Sequence, residues 1–457
     1  MAAVALVAPA VSSDLPDAPW VMRGPSLDSI TAPLQRIGFG SCNDQGMEQP
    51  LWPVIARHEP EMWVWMGDNI YGDIRQRDEP KQFFPPKLFH EAPPEVLRRR
   101  YTKQLSNPEY AAFVNATPMI GIWDDHDFGI NDGHKGYTYR EQSQQIFLDY
   151  FNEPLDSPRR KQQGIYASYT VGTGDKTVKF ILVDNRYHRD EYKQHDGDFL
   201  GETQWRWLEQ ELLTSTAAFN VIVSGIQILP ADRFFGAESW SRFPHQRERL
   251  LELLLRSNAK GVILLSGDVH FAEINQVLCG DNNVTLTEMT SSGMTHSWMQ
   301  FHFPEIKFFP ALIFTFANML LPWEFRPRHD ALYGFLNWGM IEIDWDHAPH
   351  PIARVNVRGR DAQIKLQHTV ASVPLVASSS GDSAANAASC RAPRELPVLE
   401  RRFWQVAIVV TLALLFGSIL FNAVVAIWLI KYFAQRLLGR DAKEKMTGTT
   451  KKTPVES

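Results

Sequence analysis

The sequence predicts an α/β domain followed by one membrane-spanning helix. Three observations carry that expectation. Between residues 34 and 270, short apolar or β-branched runs end abruptly in polar clusters, the pattern of buried strands that run into loops. Amphipathic helical patterns lie between some of these runs, and alternating strands and helices give an α/β architecture. Near the C-terminus, residues 403–430 contain no Asp, Glu, Lys, Arg or His. That stretch exceeds the roughly 20 residues a helix needs to cross a bilayer.

In chain order, "LQRIGFG" runs into Ser41-Cys42 and "MWVWM" into Gly67-Asp68-Asn69. "MIGIW" runs into Asp124-Asp125-His126-Asp127, with Asn131 and Asp132 behind. "VKFILV" meets Asp184-Asn185-Arg186, "VIVSGI" meets Gln227, and "GVILL" meets Ser266-Gly267-Asp268-Val269-His270. Ligands of α/β folds collect at the carboxyl ends of strands, so six such ends describe one site. "ETQWRWLEQELL" places Trp205, Leu208 and Leu212 on one helical face, and "HQRERLLELLLRSNAKG" repeats Leu before stopping near Gly261. After Val284 the pattern changes to "VTLTEM", "GMIEIDW" and "IARVNVRG". It predicts a more antiparallel sheet packed against the first.

The segmentation follows. Residues 1–33 form an N-terminal segment whose "MAAVALVAPAV" is a poor signal peptide, with no basic n-region and a short apolar run. Residues 34–368 are the folded domain. Residues 369–402, rich in Ala, Ser and Gly, read as a flexible tether. Residues 403–430 are the membrane helix, with Trp404 and Trp428 near its ends, and 431–457 the tail. The tail carries seven basic and three acidic residues against four and two in residues 386–402. That excess favours a cytoplasmic tail and a lumenal or extracellular domain; a tail-anchored protein facing the cytosol is the alternative. Asn283-Val284-Thr285 is a glycosylation acceptor that agrees, and Asn115-Ala116-Thr117, followed by Pro118, is a weaker one. The apolar stretch 308–323, broken by Pro310 and closed by Pro322, is too short to span; it reads as a core segment, with a membrane-grazing loop as the second reading.

Composition is ordinary globular, 44% hydrophobic and 21% charged, which excludes a wholly disordered or collagen-like chain. A net charge of −6 provides no nucleic-acid-binding patch. Three cysteines make no disulfide scaffold and leave at least one thiol free or otherwise bound.

Taken singly, Gly67-Asp68 and Gly267-Asp268 read as turns, Cys42 as a small core residue, and Asp184 with Arg186 as a structural ion pair. Taken together, a buried set of Asp, His, Asn, Cys and Tyr needs positive charge, which two multivalent metal ions supply. Asp68 and Tyr71 are spaced so that one turn after the strand aims both at one ion. Bound metal makes a nucleophile of water at neutral pH, and a pair of metals clamps the oxygens of an in-line displacement at phosphorus. Arg186 fits as a bidentate clamp on phosphate oxygens, and His126 as the acid that protonates the leaving oxygen. Asp124 and Asp127 are expected to orient that histidine and its neighbours.

"GSC", "WMGDNIYGD", "GIWDDHDFGIND", "VDNRYHRD" and "LSGDVHFAEI" occur in that order over about half of the chain. In this the sequence resembles the alkaline phosphatase D (PhoD-like) branch of the metallophosphoesterases. The resemblance implies a four-layer sandwich, two mixed β-sheets flanked by helices, and a metal-dependent phosphomonoesterase or phosphodiesterase acting on a phosphate-ester substrate. It places Cys42, Asp68, Tyr71, Asp125, Asn131, Asp268 and His270 as metal ligands. It implies Fe(III) with Ca²⁺, with Zn²⁺ or Mn²⁺ as alternatives. Position 130 is Ile where bacterial members often have a second Asn, so the calcium surroundings are expected to differ. The anchor adds the lipid bilayer as a partner and suggests lipid-linked or membrane-adjacent esters. Three other readings compete: a hydrolase with Cys42 as nucleophile, a two-carboxylate glycosidase, and a membrane-tethered phosphoester-binding protein without turnover.

Overall fold

The structure is a computed structural model that describes residues 18–75, 89–231, 238–280, 282–300, 314–315, 318, 323–375 and 390–447. It divides into two units, residues 1–395 and 396–457.

Within the first unit the chain forms β1 (Arg36–Gly40), α1 (Trp52–Ala56), β2 (Met62–Met66), the short hairpin β3 (Ile74–Arg75) and β4 (Phe89–His90), α2 (Pro94–Leu105), α3 (Pro108–Ala116), β5 (Met119–Ile122), α4 (Asp125–Phe128) and α5 (Arg140–Tyr150). There follow β6 (Ala167–Thr173), β7 (Lys176–Leu182), α6 (Glu202–Leu213), β8 (Phe219–Ser224), α7 (Pro244–Arg256), β9 (Val262–Ser266), β10 (Ala272–Cys279) and β11 (Val284–Ser291). The last strands are β12 (Leu332–Tyr333), β13 (Asn337–Asp344), β14 (Ile352–Gly359), β15 (Ile364–Ala371) and β16 (Cys390–Arg391). The second unit is one helix, α8 (Val398–Thr447).

Two large mixed sheets result. The first has the order β15-β14-β13-β1-β2-β5, and the second β12-β10-β11-β9-β8-β7-β6, with β16 added beside β10. β1, β2 and β5 are parallel, as are β7, β8, β9 and β11. The alternation of side chains along the second sheet shows what each face packs against. Phe180, Val221, Val223, Ile263 and Leu265 join the core that holds Phe39, Trp63 and Trp65 of the first sheet. Their neighbours Ile181, Ile222 and Leu264 join Trp205, Leu208 and Leu212 of α6 and Leu250, Leu251 and Leu254 of α7. A strand buried on both faces is apolar at successive positions, which is why these runs are continuous in sequence.

All six predicted strand ends are present, three in each sheet. The alternating strands after Val284 do not build a separate sheet. β13 pairs antiparallel with β1, and β14 and β15 continue the first sheet as successive antiparallel neighbours, while β10 and β11 extend the second. Alternation fixes which face of a strand is buried but not which edge it joins.

The tether is shorter than its composition suggests. Residues 369–371 complete β15, and Cys390–Arg391 pair with β10. A disulfide joins Cys390 to Cys279, leaving Cys42 as the free cysteine. The stretch 376–389 lies outside the described residues, as does the N-terminal signal-like run; of 308–323 only residues 314, 315, 318 and 323 are described. Val398–Gln435 of α8, 38 residues, contains a stretch long and apolar enough to cross a membrane.

Candidate metal centre

β1, β2 and β9 each end in a turn that holds a candidate site residue in the left-handed backbone region. φ is 63° at Cys42, 50° at Asp68, 72° at Asp268 and 60° at His270. Non-glycine residues rarely occupy this region, and such strain collects where a fold over-determines a site. Gly67 (φ 92°) makes the turn before Asp68 possible, since a Cβ there would lie 2.5 Å from Asp124 Cβ.

These turns bring the predicted residues together. Cys42 Sγ lies 3.4 Å from Asp68 Oδ2 and 3.0 Å from Ser292 Oγ. Ligand atoms of Cys42, Asp68 and His270 lie within 4.8 Å of one another, as do those of Asp68, Asp125 and His126, so Asp68 belongs to both groups. A third such group joins Asp124, Asp125, Glu238 and Asp268. The Tyr71 hydroxyl lies 3.3 Å from His270 Nε2 and 2.9 Å from His296 Nε2, and its ring stacks on His126 with centroids 4.0 Å apart.

The electrostatics of the cluster are set by burial. Burial pushes the Cys42 thiol up to about 12. Burial, with Cys42 and Asp125 nearby, raises Asp68 well above the carboxylate range; burial, with Glu238 and Asp124, does the same to Asp268. Burial also raises Tyr71. Among the described residues neither Cys42 nor Asp68 has a guanidinium or ammonium partner. A thiolate, carboxylate and phenolate set of this kind is held ionised by added positive charge. His270, which burial and the charge of His126 push down to about 3, stays a neutral imidazole fit to ligate. The donors therefore fit metal ions, with sulfur, phenol and imidazole on one side of Asp68 and carboxylates on the other.

His126 is placed differently. Its Nδ1 lies 2.9 Å from Asp73 Oδ1, and its backbone N–H donates to Asp125 Oδ1 at 2.9 Å. Burial alone would lower its pKa, but Asp125 and Asp73 raise it to about 9, so the ring carries a proton to give. Asp125 is held below its usual value because His126, Arg186 and the Asp132 amide outweigh its burial. Asp73, not Asp124 or Asp127, orients the imidazole. Asp127 accepts the backbone N–H groups of Asn69, Ile70 and Asp124 and fixes the loops, while Asp124 pairs with Arg186.

Arg186 is the clearest departure from the sequence expectation. Its guanidinium is completely buried. Nε donates to Asp124 Oδ1 at 2.6 Å, Nη1 and Nη2 form a bidentate pair with Glu238, and Nη2 reaches Asp125 at 3.9 Å. A guanidinium with its fork already filled by a carboxylate is not available as a phosphate clamp. Its geometry is that of an internal counter-charge. Asn131 also stands apart. It is half-buried and lines a cavity of about 350 Å³ with Tyr137, Arg189 and Tyr192, and no hydrogen bond among the described residues ties its side chain to the cluster.

The cysteine-nucleophile reading loses its support here. A nucleophilic cysteine needs a depressed pKa and a base beside it; Cys42 is raised, and its sulfur bonds Ser41, Ser292 and Asp68, not an imidazole.

Three residues at the site escaped the sequence reading. Asp73 lies inside the block "WMGDNIYGD". His296 follows β11 in "SSGMTHSW", one more polar cluster at a strand end. Glu238 carries no local signal.

A family model for PhoD-like phosphatases matches residues 38–302, more than half of the chain. Alkaline phosphatase D of Bacillus subtilis (strain 168) is 28% identical over 204 residues, which is 38% of this chain and 34% of that protein. The match thus spans about a third of that relative's length. A solved structure described as the structure of PhoD superposes with a TM-score of 0.55 at 16% identity, covering 82% of this chain and 76% of that one. At that identity the likeness is one of fold.

Proposed function

The chain belongs to the PhoD-like phosphatase family, and from that membership we propose that it is a membrane-anchored, metal-dependent phosphoesterase. The observation that carries the proposal is the Cys42–Asp68–His270 group, whose ligand atoms lie within 4.8 Å of one another, with Tyr71 beside it. In this reading Cys42, Asp68, Tyr71 and His270 would hold one ion. Asp125 and Asp268 would hold a second; Asn131, which lines the neighbouring cavity, is left outside both. Bound metals there supply an activated water and positive charge against the phosphoryl oxygens.

The chain's own residues do the rest. His126, fixed through Nδ1 by Asp73, keeps Nε2 for the leaving oxygen and delivers its proton as that oxygen departs. Tyr71, stacked on the imidazole, sets the plane of the ring. Arg186 neutralises Asp124 and Glu238 behind the site, which keeps the Asp124–Asp125 turn in place. The two sheets, with α6 and α7 packed on the outer face of the second, suit the sandwich expected of this family.

We place α8 across a bilayer with its basic tail in the cytoplasm and the catalytic domain in the lumen or outside the cell. The Cys279–Cys390 disulfide supports that side, because disulfides persist in oxidising compartments. The site lies where β10 begins, whereas Cys390 is tied to the other end of that eight-residue strand.

The test is metal content and turnover on a panel of phosphate mono- and diesters, with the detergent-solubilised full chain and its Asp68→Asn variant. Bound metal with turnover that the variant loses together supports the proposal. Bound metal with no turnover on any ester leaves a phosphoester-binding protein in its place.

A further inference from the structure

The end of the second sheet remote from the metal centre carries a feature the phosphoesterase reading does not use. β10 and β11 are joined there by a short turn, and Asn283-Val284-Thr285 begins the return strand. Asn283 is exposed, with φ 51°, a left-handed conformation that asparagine tolerates. Its Oδ1 accepts a hydrogen bond from Arg391 Nη2 at 2.8 Å. No hydrogen bond within the described chain uses its Nδ2. Thr285 is also exposed, its hydroxyl 3.4 Å from the Asn283 carbonyl oxygen. The acceptor nitrogen and the hydroxyl that the Asn-x-Thr pattern requires are thus both open to solvent.

A second, independent observation lies four residues upstream. Cys279 is bonded to Cys390, and compartments that form and keep disulfides are those in which Asn-x-Ser/Thr acceptors meet the glycosylation machinery. The other acceptor triplet is built unlike this one. Asn115 lies in α3, Thr117 is buried at 5% exposure, and Pro118 follows.

We propose that Asn283 carries an N-linked oligosaccharide and that Asn115 does not. In the transfer, Asn283 Nδ2 forms a bond to the anomeric carbon of a polyprenyl-pyrophosphate-linked oligosaccharide. The bond from that carbon to the pyrophosphate oxygen breaks, the polyprenyl pyrophosphate leaves, and the transferring enzyme takes the amide proton. Only Nδ2 is consumed, so the Arg391 bond to Oδ1 survives. The sugar sits at the end of β10 remote from the metal centre, so turnover is unaffected.

The proposal rests on the lumenal or extracellular placement of the domain, and the experiment separates the two. The full chain is expressed in a eukaryotic secretory system as wild type, Thr285→Ala and Thr285→Ser. Three measurements are made: mobility before and after an endoglycosidase that releases N-linked sugars, protease protection of the domain in sealed microsomes, and alkylation of free thiols. The expected result is a glycosidase-sensitive shift of one glycan, lost in Thr285→Ala and kept in Thr285→Ser, with phosphoesterase activity the same in all three. A protected domain with its disulfide formed but no sugar overturns the proposal and leaves the placement standing. A protease-accessible domain with three reactive thiols overturns both. A shift that persists in Thr285→Ala assigns the sugar elsewhere and overturns the assignment to Asn283.

Discussion

Two groups of buried acids lie side by side at the strand ends, and among the described residues a guanidinium pairs with only one of them. Asp124 and Glu238 enclose the Arg186 guanidinium, with Arg189 at 3.4 Å from Glu238 as a second positive charge. Cys42 and Asp68 are as deeply buried; their hydrogen bonds among the described residues run to Ser41, Ser292, each other and the His126 amide, with Tyr71 and His270 close by. The first group is complete as folded. In the second, burial raises Cys42 and Asp68, and added positive charge would hold them ionised. Counting carboxylates therefore does not locate a metal; the useful count is of carboxylates without a cationic partner.

The largest effect that can break this comparison is at the uncompensated group. Asp68→Asn removes the charge shared by two candidate ligand groups. It is expected to lower kcat/KM on the order of 10³-fold or more and to lower metal content with it. Retained metal at full stoichiometry with normal turnover would show that Asp68 is not the shared ligand. Chelation of the wild type is expected to reproduce the loss, and re-addition of metal to reverse it.

At the compensated group the expectation is a loss of stability. Arg186→Met strips the partner from two buried carboxylates, a change worth about 3–5 kcal/mol of destabilisation. Denaturant or thermal unfolding measures it. If the variant unfolds like wild type but its KM for phosphate esters rises selectively, the phosphate-clamp role predicted from sequence is restored.

Much of this was legible in advance, for a stated reason. Buried strands announce themselves as apolar runs, and the polar residues that end them gather at one end of the sheets, so position points to the clusters at Cys42, Asp68, Asp125–His126 and Asp268–His270, while the ligand role of each comes from the family resemblance. What sequence could not give was pairing. Arg186 looked like a free phosphate ligand because Glu238, which fills its fork, lies 52 residues away with no pattern pointing to it. Asp124 and Asp127 looked like partners of His126 because they flank it in sequence. The turn into α4 instead sends one to Arg186 and the other to the amides of the Asp68 loop. The later strands were recognised, but alternation says nothing of which sheet edge receives them.

His126 sharpens the comparison, since it draws on both sides: Asp125 and Asp73 hold its proton while Tyr71 stacks on its ring. His126→Ala is expected to lower turnover roughly 10²- to 10⁴-fold on esters with poor leaving groups. The loss should be far smaller on esters whose leaving group departs without a proton. An equal loss on both would assign His126 to ligation or structure instead of proton donation.

The smallest expected effect tests the residue that sequence position concealed. Asp73 touches neither sulfur nor candidate ligand oxygen; it acts through His126 Nδ1. Asp73→Asn keeps the shape and a hydrogen bond but removes the negative charge. An outer partner of this kind is worth about 10- to 100-fold in activity. Part of that loss should come as a shift in pH profile. The Asp73 charge raises the His126 pKa, so its removal lowers it, and the alkaline limb of kcat/KM, where the acid loses its proton, moves to lower pH. Metal content should stay at the wild-type level, which separates this variant from Asp68→Asn. If Asp73→Asn loses metal and leaves the alkaline limb unmoved, Asp73 belongs to the metal group, and the boundary drawn between ligands and proton donor falls in the wrong place.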